Sequence, residues 1–216
     1  MPKLNQEIVA EKKEHIETAA KLLFIKQGFH GTSIRQIAAQ AGVSLGNLYN
    51  YYKTKENILE SLISKYEEII TDRFDDMFSQ IEEPLLPQNF VKLGKLLQEV
   101  VADHYEFWLL MYIDVLEFDN QHCRKFFEGL SKRFGQRFDQ HFYALKKQKL
   151  LNEDVDPALG FTVAYLQFLN YFLIEKLFGG NHHLGINDEE ALLKLSELFC
   201  RGLLSPTALG KSFPNS

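Results

Sequence analysis

Apolar residues recur at helical spacing through most of the chain, and turn residues divide the pattern into about nine helices. Ile8, Ile16, Ala19, Ala20, Leu23 and Phe24 predict a first helix over residues 5–27, stopped by Gly28. Ser33 with Gln36 three residues on has the form of a capping box, opening a short helix that carries Ile34, Ile37, Ala38 and Ala41 and ends at Gly42. Ser44 caps a third helix over residues 45–51, and Thr54 caps a long fourth over 55–81, with Ile58, Leu62, Tyr66, Ile69 and Met77 as its buried stripe. Glu83-Pro84-Leu85-Leu86-Pro87 reads as a linker. Further helices are predicted at 88–102, 103–119, 121–149, 156–178 and 188–204. Asp156-Pro157 and Asn187-Asp188 are the starts of the last two, Gly179-Gly180-Asn181 is a helix end, and the tail after Pro206 is frayed. No strand is expected.

Within this pattern, residues 33–51 satisfy the steric demands of a helix-turn-helix. Two short helices that cross closely need a very small residue at the contact, and Ala38 provides it. The turn needs a residue that tolerates positive φ, and Gly42 stands there. Val43 and Leu48 pin the second helix, with Ile34 and Ile37 opposite. The set left outward is Ser44, Leu45, Gly46, Asn47, Tyr49, Asn50 and Tyr51, a polar and aromatic face of the width that enters a major groove. Ser44 and the free N–H groups at this helix start suit a phosphate, and Gly46 permits close backbone approach. Asn47 and Asn50 suit base edges, and Leu45 a thymine methyl. Ser33, Tyr49, Tyr51 and Lys55 suit the DNA backbone, which orients the protein without reading sequence. Each has a structural alternative: both serines cap helices in any case, the tyrosines can pack inward (the preferred reading for Tyr52), and Lys53 is as readily solvated as bound.

Charge sharpens the picture. The chain of 216 residues carries a net −5, but residues 1–55 hold 8 Lys/Arg against 4 Asp/Glu, while the remainder holds 16 against 25. Residues 18–55 contain five basic side chains and no acid, as expected of a polyanion-binding head on an acidic body. Cys123 and Cys200 have neither zinc spacing nor a disulfide framework around them and read as small core residues. The N-terminus lacks the apolar core of a signal peptide, so a cytoplasmic location is expected. Residues 157–174 are uncharged over nearly the length of a bilayer span, yet Pro157, Gly160, Gln167 and Asn170 dilute them and no basic cluster flanks them. A helix buried inside a helical protein or a dimer is the better reading.

The stretch from Ala19 to Leu62 resembles the TetR (tetracycline-repressor-like) family of bacterial regulators. The resemblance is carried by Ala19-Ala20-Lys21-Leu22-Leu23-Phe24, Gly28-Phe29, Gly31-Thr32-Ser33-Ile34-Arg35-Gln36-Ile37-Ala38, Ala41 through Tyr52, and Lys53-Thr54-Lys55-Glu56-Asn57-Ile58-Leu59. It implies an all-α homodimer with an N-terminal three-helix head over residues 1–54. A C-terminal helical effector-binding and dimerisation domain follows over 55–205, with the helix at 55–81 as the link and 206–216 as a tail. It also implies an effector pocket among the middle helices and dimerisation through the last two. Position 45, often basic in that family, is Leu here, which leaves the operator sequence open.

Beyond residue 88 the pattern is less specific. The aromatic run 105–118 suits an apolar pocket, with Phe107, Trp108, Met111, Tyr112, Asp114 and Glu117, joined by Tyr165 and Phe168, as candidate lining for a lipophilic effector, a cation being one option. The stronger alternative for Asp114 and Glu117 is that they face water or pair with Arg133, Arg137 or His141. Phe161, Phe172, Leu192, Leu195, Phe199 and Leu203 are candidates for a four-helix dimer interface, which would set two heads roughly 34 Å apart on a palindrome. The expected partners are therefore double-stranded DNA, a small-molecule effector and a second copy of the chain, with no membrane. Effector binding is expected to change head separation through the helix at 55–81. No cofactor, metal or enzymatic activity is expected: only Asp119-x-x-His122 approaches a carboxylate-bridged metal motif, and its partner pair is missing. The competing readings are a helical enzyme and an interaction module whose helix-turn-helix no longer meets DNA.

Overall fold

A computed structural model describes residues 2–80, 85–179 and 182–205, with the backbone alone for residues 2–6 and Pro87. The described residues form ten helices: α1 (Pro2–Gln27), α2 (Ile34–Gln40), α3 (Leu45–Tyr51), α4 (Lys55–Ser79), α5 (Pro87–Phe118), α6 (Arg124–Phe127), α7 (Leu130–Arg137), α8 (Asp139–Lys147), α9 (Pro157–Leu177) and α10 (Asp188–Leu203). The expected linker at 83–87 falls partly outside the described residues, as do Gly180 and Asn181 and the tail from Pro206.

Local chemistry sets most boundaries. Ser33 and Gln36 close a full capping box on α2. Thr54 Oγ1 accepts the Asn57 N–H at 3.1 Å, Asp156 accepts that of Leu159 at 2.9 Å with Pro157 following, and Asn187 accepts that of Glu190 at 2.9 Å. Two boundaries differ from the sequence reading. The helices expected at 88–102 and 103–119 are one element, α5, kinked where His104 leaves helical geometry (φ −128°, ψ 25°). The single helix expected over 121–149 is three, because Gly129 takes a left-handed φ of 68° before α7 and Phe138 leaves helical geometry between α7 and α8.

The chain divides into two compact units: Met1–Ile70 with Glu106–Phe126, and Thr71–Tyr105 with Phe127–Ser216. The head expected over residues 1–54 is thus part of a larger first unit that also holds the start of α4 and the end of α5. In it Ile16, Phe24, Phe29, Ile37, Leu48, Ile58 and Leu59 are fully buried. Ile8, expected on the buried stripe of α1, is exposed. On α4 the buried stripe is Ile58, Leu59, Leu62, Ile63, Ile70 and Phe78, so Ile69 and Met77 lie at its margin rather than along it.

The second unit is built on α9, whose Phe161, Ala164, Tyr165, Phe168, Leu169, Phe172 and Leu173 are buried against α7, α10 and neighbouring helices. Phe134 lies 5.1 Å from Phe161 and 5.6 Å from Phe78, and Phe138 lies 5.3 Å and 5.4 Å from the same two rings. Edge-to-face pairs of this kind contribute about 0.5–1.5 kcal/mol each beyond area burial. This packing holds Phe138 at the break between α7 and α8. α9 is long and apolar enough to cross a bilayer, but half of its apolar window is buried within the fold. Both cysteines are buried and free, as small core residues.

Close packing leaves one instructive gap. A Cβ at Gly94 would meet Leu192 Cδ2 at 2.3 Å and the Phe168 ring at 3.1 Å, and both neighbours are themselves buried. Gly94→Val is expected to lower stability by about 1–3 kcal/mol through overpacking, read as a reduced denaturant midpoint with an unchanged slope; an unchanged midpoint would contradict the packing described.

Candidate nucleic-acid interface

The position of α3 follows from three anchors within the first unit. Leu48 is fully buried, and Ala38, also buried, accepts the Val43 N–H at 3.0 Å, so the two short helices meet at a residue with almost no side chain. Gly42 makes the turn at φ 67°, with nothing within 4 Å of where a Cβ would stand, so backbone conformation rather than space requires glycine. The third anchor is Tyr52, just past α3. Its hydroxyl donates to the buried Glu17 at 2.6 Å, and Glu17 also accepts from Ser61 at 2.7 Å and pairs with Lys65 at 3.4 Å. Burial and the Glu17 carboxylate push the Tyr52 phenol up to about 12, so it stays a hydrogen-bond donor across the physiological range. The inward reading of Tyr52 is the one realised.

With those anchors set, α3 turns Ser44, Gly46, Tyr49 and Asn50 outward, and Leu45, Asn47 and Tyr51 are half-buried at the margins. Ser44 Oγ accepts the Asn47 N–H at 3.2 Å as the cap. Gly46, like Gly42, has open space around it. Ser33 is exposed with its hydroxyl held in the capping box of α2.

Lys55 departs from expectation. Its ammonium donates to Phe29 O at 2.6 Å and to Thr32 O at 2.8 Å and lies 4.0 Å from the Phe29 ring centroid. It closes the loop between α1 and α2 instead of pointing outward to a phosphate. Burial lowers its pKa despite the attraction of Glu56 and Glu117. Lys21 is also engaged internally, with the Glu106 carboxylate and with Tyr66 Oη at 3.1 Å. Burial opposes its charge, but those two partners outweigh it and raise its pKa. Of the five cations in residues 18–55, Lys26, Arg35 and Lys53 are exposed, so the outward positive charge is smaller than the sequence count suggests.

The same loop is held from the other side by Glu117, whose carboxylate accepts the Phe29 N–H at 2.9 Å and the His30 N–H at 2.7 Å, with His30 Nδ1 3.3 Å away. Phe118 packs edge-on against Phe29 at 4.6 Å. Glu117 is therefore a loop-capping group, not part of an effector lining. Asp114 is likewise excluded: it is fully buried and accepts from the N–H groups of His122 and Cys123 at 3.1 and 2.9 Å and contacts His122 Nδ1 at 2.6 Å. Tyr112 is 50% exposed. Phe107 and Trp108 are buried and Met111 half-buried in the first unit, whereas Tyr165 and Phe168 belong to the core of the second.

The expected dimer face also needs correction. Phe161, Phe172, Leu192 and Leu203 are buried by their own unit, and the half-buried Phe199 packs on Phe90 and Phe168, so these five do not form an outward face. Leu195 is half-buried. The apolar residues that α9 does expose are Leu159, Val163, Leu166 and Ile174, spaced as one helical stripe. Sequence periodicity missed this stripe because α9 is apolar on nearly all sides.

Among known proteins, the profile described as "Bacterial regulatory proteins, tetR family" matches residues 16–62. The uncharacterized HTH-type transcriptional regulator YerO of Bacillus subtilis is 31% identical over 122 residues, 54% of this chain and 40% of YerO. The chain spans less than half the length of the curated relatives it matches. Among solved structures, FadR of Bacillus subtilis in complex with stearoyl-CoA has a TM-score of 0.63 at 17% identity, covering 88% of this chain and 98% of that one. A putative regulator from Saccharomonospora viridis in complex with choline has a TM-score of 0.64 at 18% identity, covering 91% and 99%. At these identities the structural likeness is one of fold.

Two substitutions test the loop chemistry. Glu117→Ala, which leaves two N–H groups of the 28–30 loop without their acceptor, is expected to cost about 1–3 kcal/mol of stability. Lys55→Met is expected to cost a similar amount while leaving the salt dependence of DNA affinity unchanged; a shallower salt slope would return Lys55 to the phosphate contacts.

Proposed function

We propose that this chain, whose residues 16–62 match the profile of the tetR family of bacterial regulatory proteins, is a member of that family and a ligand-responsive DNA-binding regulator of transcription. It acts in the cytoplasm as a repressor that a small lipophilic effector releases from a palindromic operator. The observation that carries the reading is the outward face of α3: Ser44, Gly46, Tyr49 and Asn50 are exposed, with Asn47 and Tyr51 at its edges, on a helix fixed from behind by Leu48 and Tyr52. Asn47 and Asn50 read base edges, Leu45 meets an apolar base group, and Ser33, Ser44, Tyr49 and Tyr51 hold the DNA backbone, with exposed Arg35 and Lys53 adding charge.

A palindrome requires two heads, and the second copy joins through the exposed stripe of α9, Leu159, Val163, Leu166 and Ile174, in a four-helix contact with α10. That stripe replaces the residues expected from periodicity. The effector reading draws support from the similar folds that hold stearoyl-CoA in FadR and choline in the Saccharomonospora viridis protein. Effector binding moves the two heads off the spacing of successive major grooves, and release from DNA follows from the difference in affinity between the two states.

The test is a gel shift with the DNA upstream of the chain's own gene. Sequence-specific binding is expected, falling steeply with salt as phosphate contacts require. Asn47→Ala should weaken specific binding by about 1–3 kcal/mol and leave non-specific binding in place. No specific shift on any upstream fragment would refute the regulator reading and favour an interaction module. Leu166→Arg should convert a dimer to a monomer in light scattering without loss of helicity; a persistent dimer would move the interface elsewhere.

A further inference from the structure

Three segments of the first unit close on one another as the sides of a triangle: the 28–32 loop, the first turns of α4 and the end of α5. Two sides are direct hydrogen bonds. Lys55 on α4 donates to the carbonyls of Phe29 and Thr32, and Glu117 on α5 accepts the N–H groups of Phe29 and His30. The third side, from α4 to the turn after α5, runs through His122. Its Nε2 stands 3.9 Å from Glu60 Oε1, too far for a hydrogen bond but close enough for an ion pair.

The geometry fixes where that ring carries its hydrogen. Asp114 is fully buried and accepts the N–H groups of His122 and Cys123, so its contact with His122 Nδ1, at 2.6 Å, is a donation by the ring. A neutral ring then keeps its one hydrogen on Nδ1 and turns a bare nitrogen lone pair toward the Glu60 carboxylate. A second proton makes that nitrogen a donor and the ring a cation between Asp114 and Glu60. The turn needs such support, since Asp119 and Asn120 take left-handed φ values of 51° and 60° without being glycine. Phe118 carries any shift of the turn to the loop, lying 5.0 Å from the His122 ring, 6.0 Å from His30 and 4.6 Å from Phe29. The other titratable groups around the site are Glu117, His30, Lys55, Glu67 and Cys123, with Asp119 and Arg124 flanking His122 in sequence. Burial and Asp114 push the Cys123 thiol up, so it keeps its proton.

We propose that His122 is a pH-gated positioning residue: as an imidazolium it fastens α4 to the end of α5 through Glu60, and the head then grips DNA more tightly. The pair exists only while the ring is charged, so its contribution is present at low pH and lost as pH rises through the range in which imidazoles titrate. Fastening α4 acts on DNA through Lys55 and the 28–32 loop, which sets where α2 begins. The DNA half of the proposal rests on the regulator reading.

The full-length protein, its His122→Asn and Glu60→Gln variants and the double variant are compared at about pH 5.5 and about pH 8, at one ionic strength. Asparagine keeps a donor where Nδ1 stood and cannot ionise, and glutamine keeps the acceptor that Asn57 uses. Urea unfolding is followed through Trp108, the single tryptophan of the chain, buried in the first unit. DNA affinity is measured on the fragment upstream of the chain's own gene. At the lower pH each single variant should unfold at lower urea than wild type and bind DNA about threefold more weakly, the scale of a partly exposed ion pair. The double variant should be no worse than either single one. At the higher pH both differences should vanish; comparing variants at one pH cancels the titration of His30 and the other histidines. Losses of equal size at both pH values would show His122 to be structural only and overturn the proposal. So would a Glu60→Gln variant as stable as wild type at the lower pH, or DNA affinity there that ignores both substitutions. If no fragment is bound at either pH, the regulator reading fails and the urea arm alone decides the His122–Glu60 pair.

Discussion

Backbone N–H groups that leave a helix or enter a turn must find acceptors, and in this chain carboxylates of low exposure meet that need in one recurring way. Asp114 takes the N–H groups of His122 and Cys123 together with the His122 ring. Glu117 takes those of Phe29 and His30, with the His30 ring beside it. Glu175, in the other unit, takes those of His182 and His183 and the His183 ring. Burial acts to raise the Glu175 pKa, but the donors from His183 and His182 prevail and hold it below the usual carboxylate range. Each of the three fixes a loop to a helix distant from it along the chain or turns the chain at a helix end. The loop at 28–30 matters most, because it sets where α2 begins and hence where α3 can point.

The presentation of α3 is accordingly a property of the whole first unit rather than of residues 33–51 alone. Glu17 on α1 and Ser61 on α4 converge on Tyr52, Lys55 on α4 closes the carbonyls of the 29–32 loop, and Glu117 on α5 closes its N–H groups. Two of the five cations that made the N-terminal segment look basic are consumed in this scaffolding. Charged side chains here serve placement first and the outer field second.

The second unit depends on a different constraint, the close packing of aromatic rings. Phe161 is the common neighbour of Phe78, Phe90, Phe134 and Phe138. Because α9 spends Phe161, Phe168 and Phe172 inward, its smaller aliphatic residues remain outside. A helix of this kind is amphipathic only weakly, and its exposed face is what remains after the core has taken its share.

Features encoded within a few consecutive residues were settled by the sequence alone. The caps at Ser33, Ser44, Thr54, Asp156 and Asn187, the left-handed turn at Gly42, the small contact at Ala38 and the helix-turn-helix itself depend on local sterics and hydrogen bonds, which any surrounding fold must respect. The break of 121–149 into three helices, the destination of Lys55, Asp114 and Glu117, and the choice of outward stripe on α9 were decided only in the tertiary structure. The partner is Phe29 in a remote segment for Lys55 and Glu117, the Phe78 and Phe161 rings for Phe138, Leu203 against Gly160 on α9, and, closer along the chain, the N–H groups of His122 and Cys123 for Asp114. Periodicity records that a helix has an apolar side, but which part of that side is covered depends on what the rest of the chain brings against it.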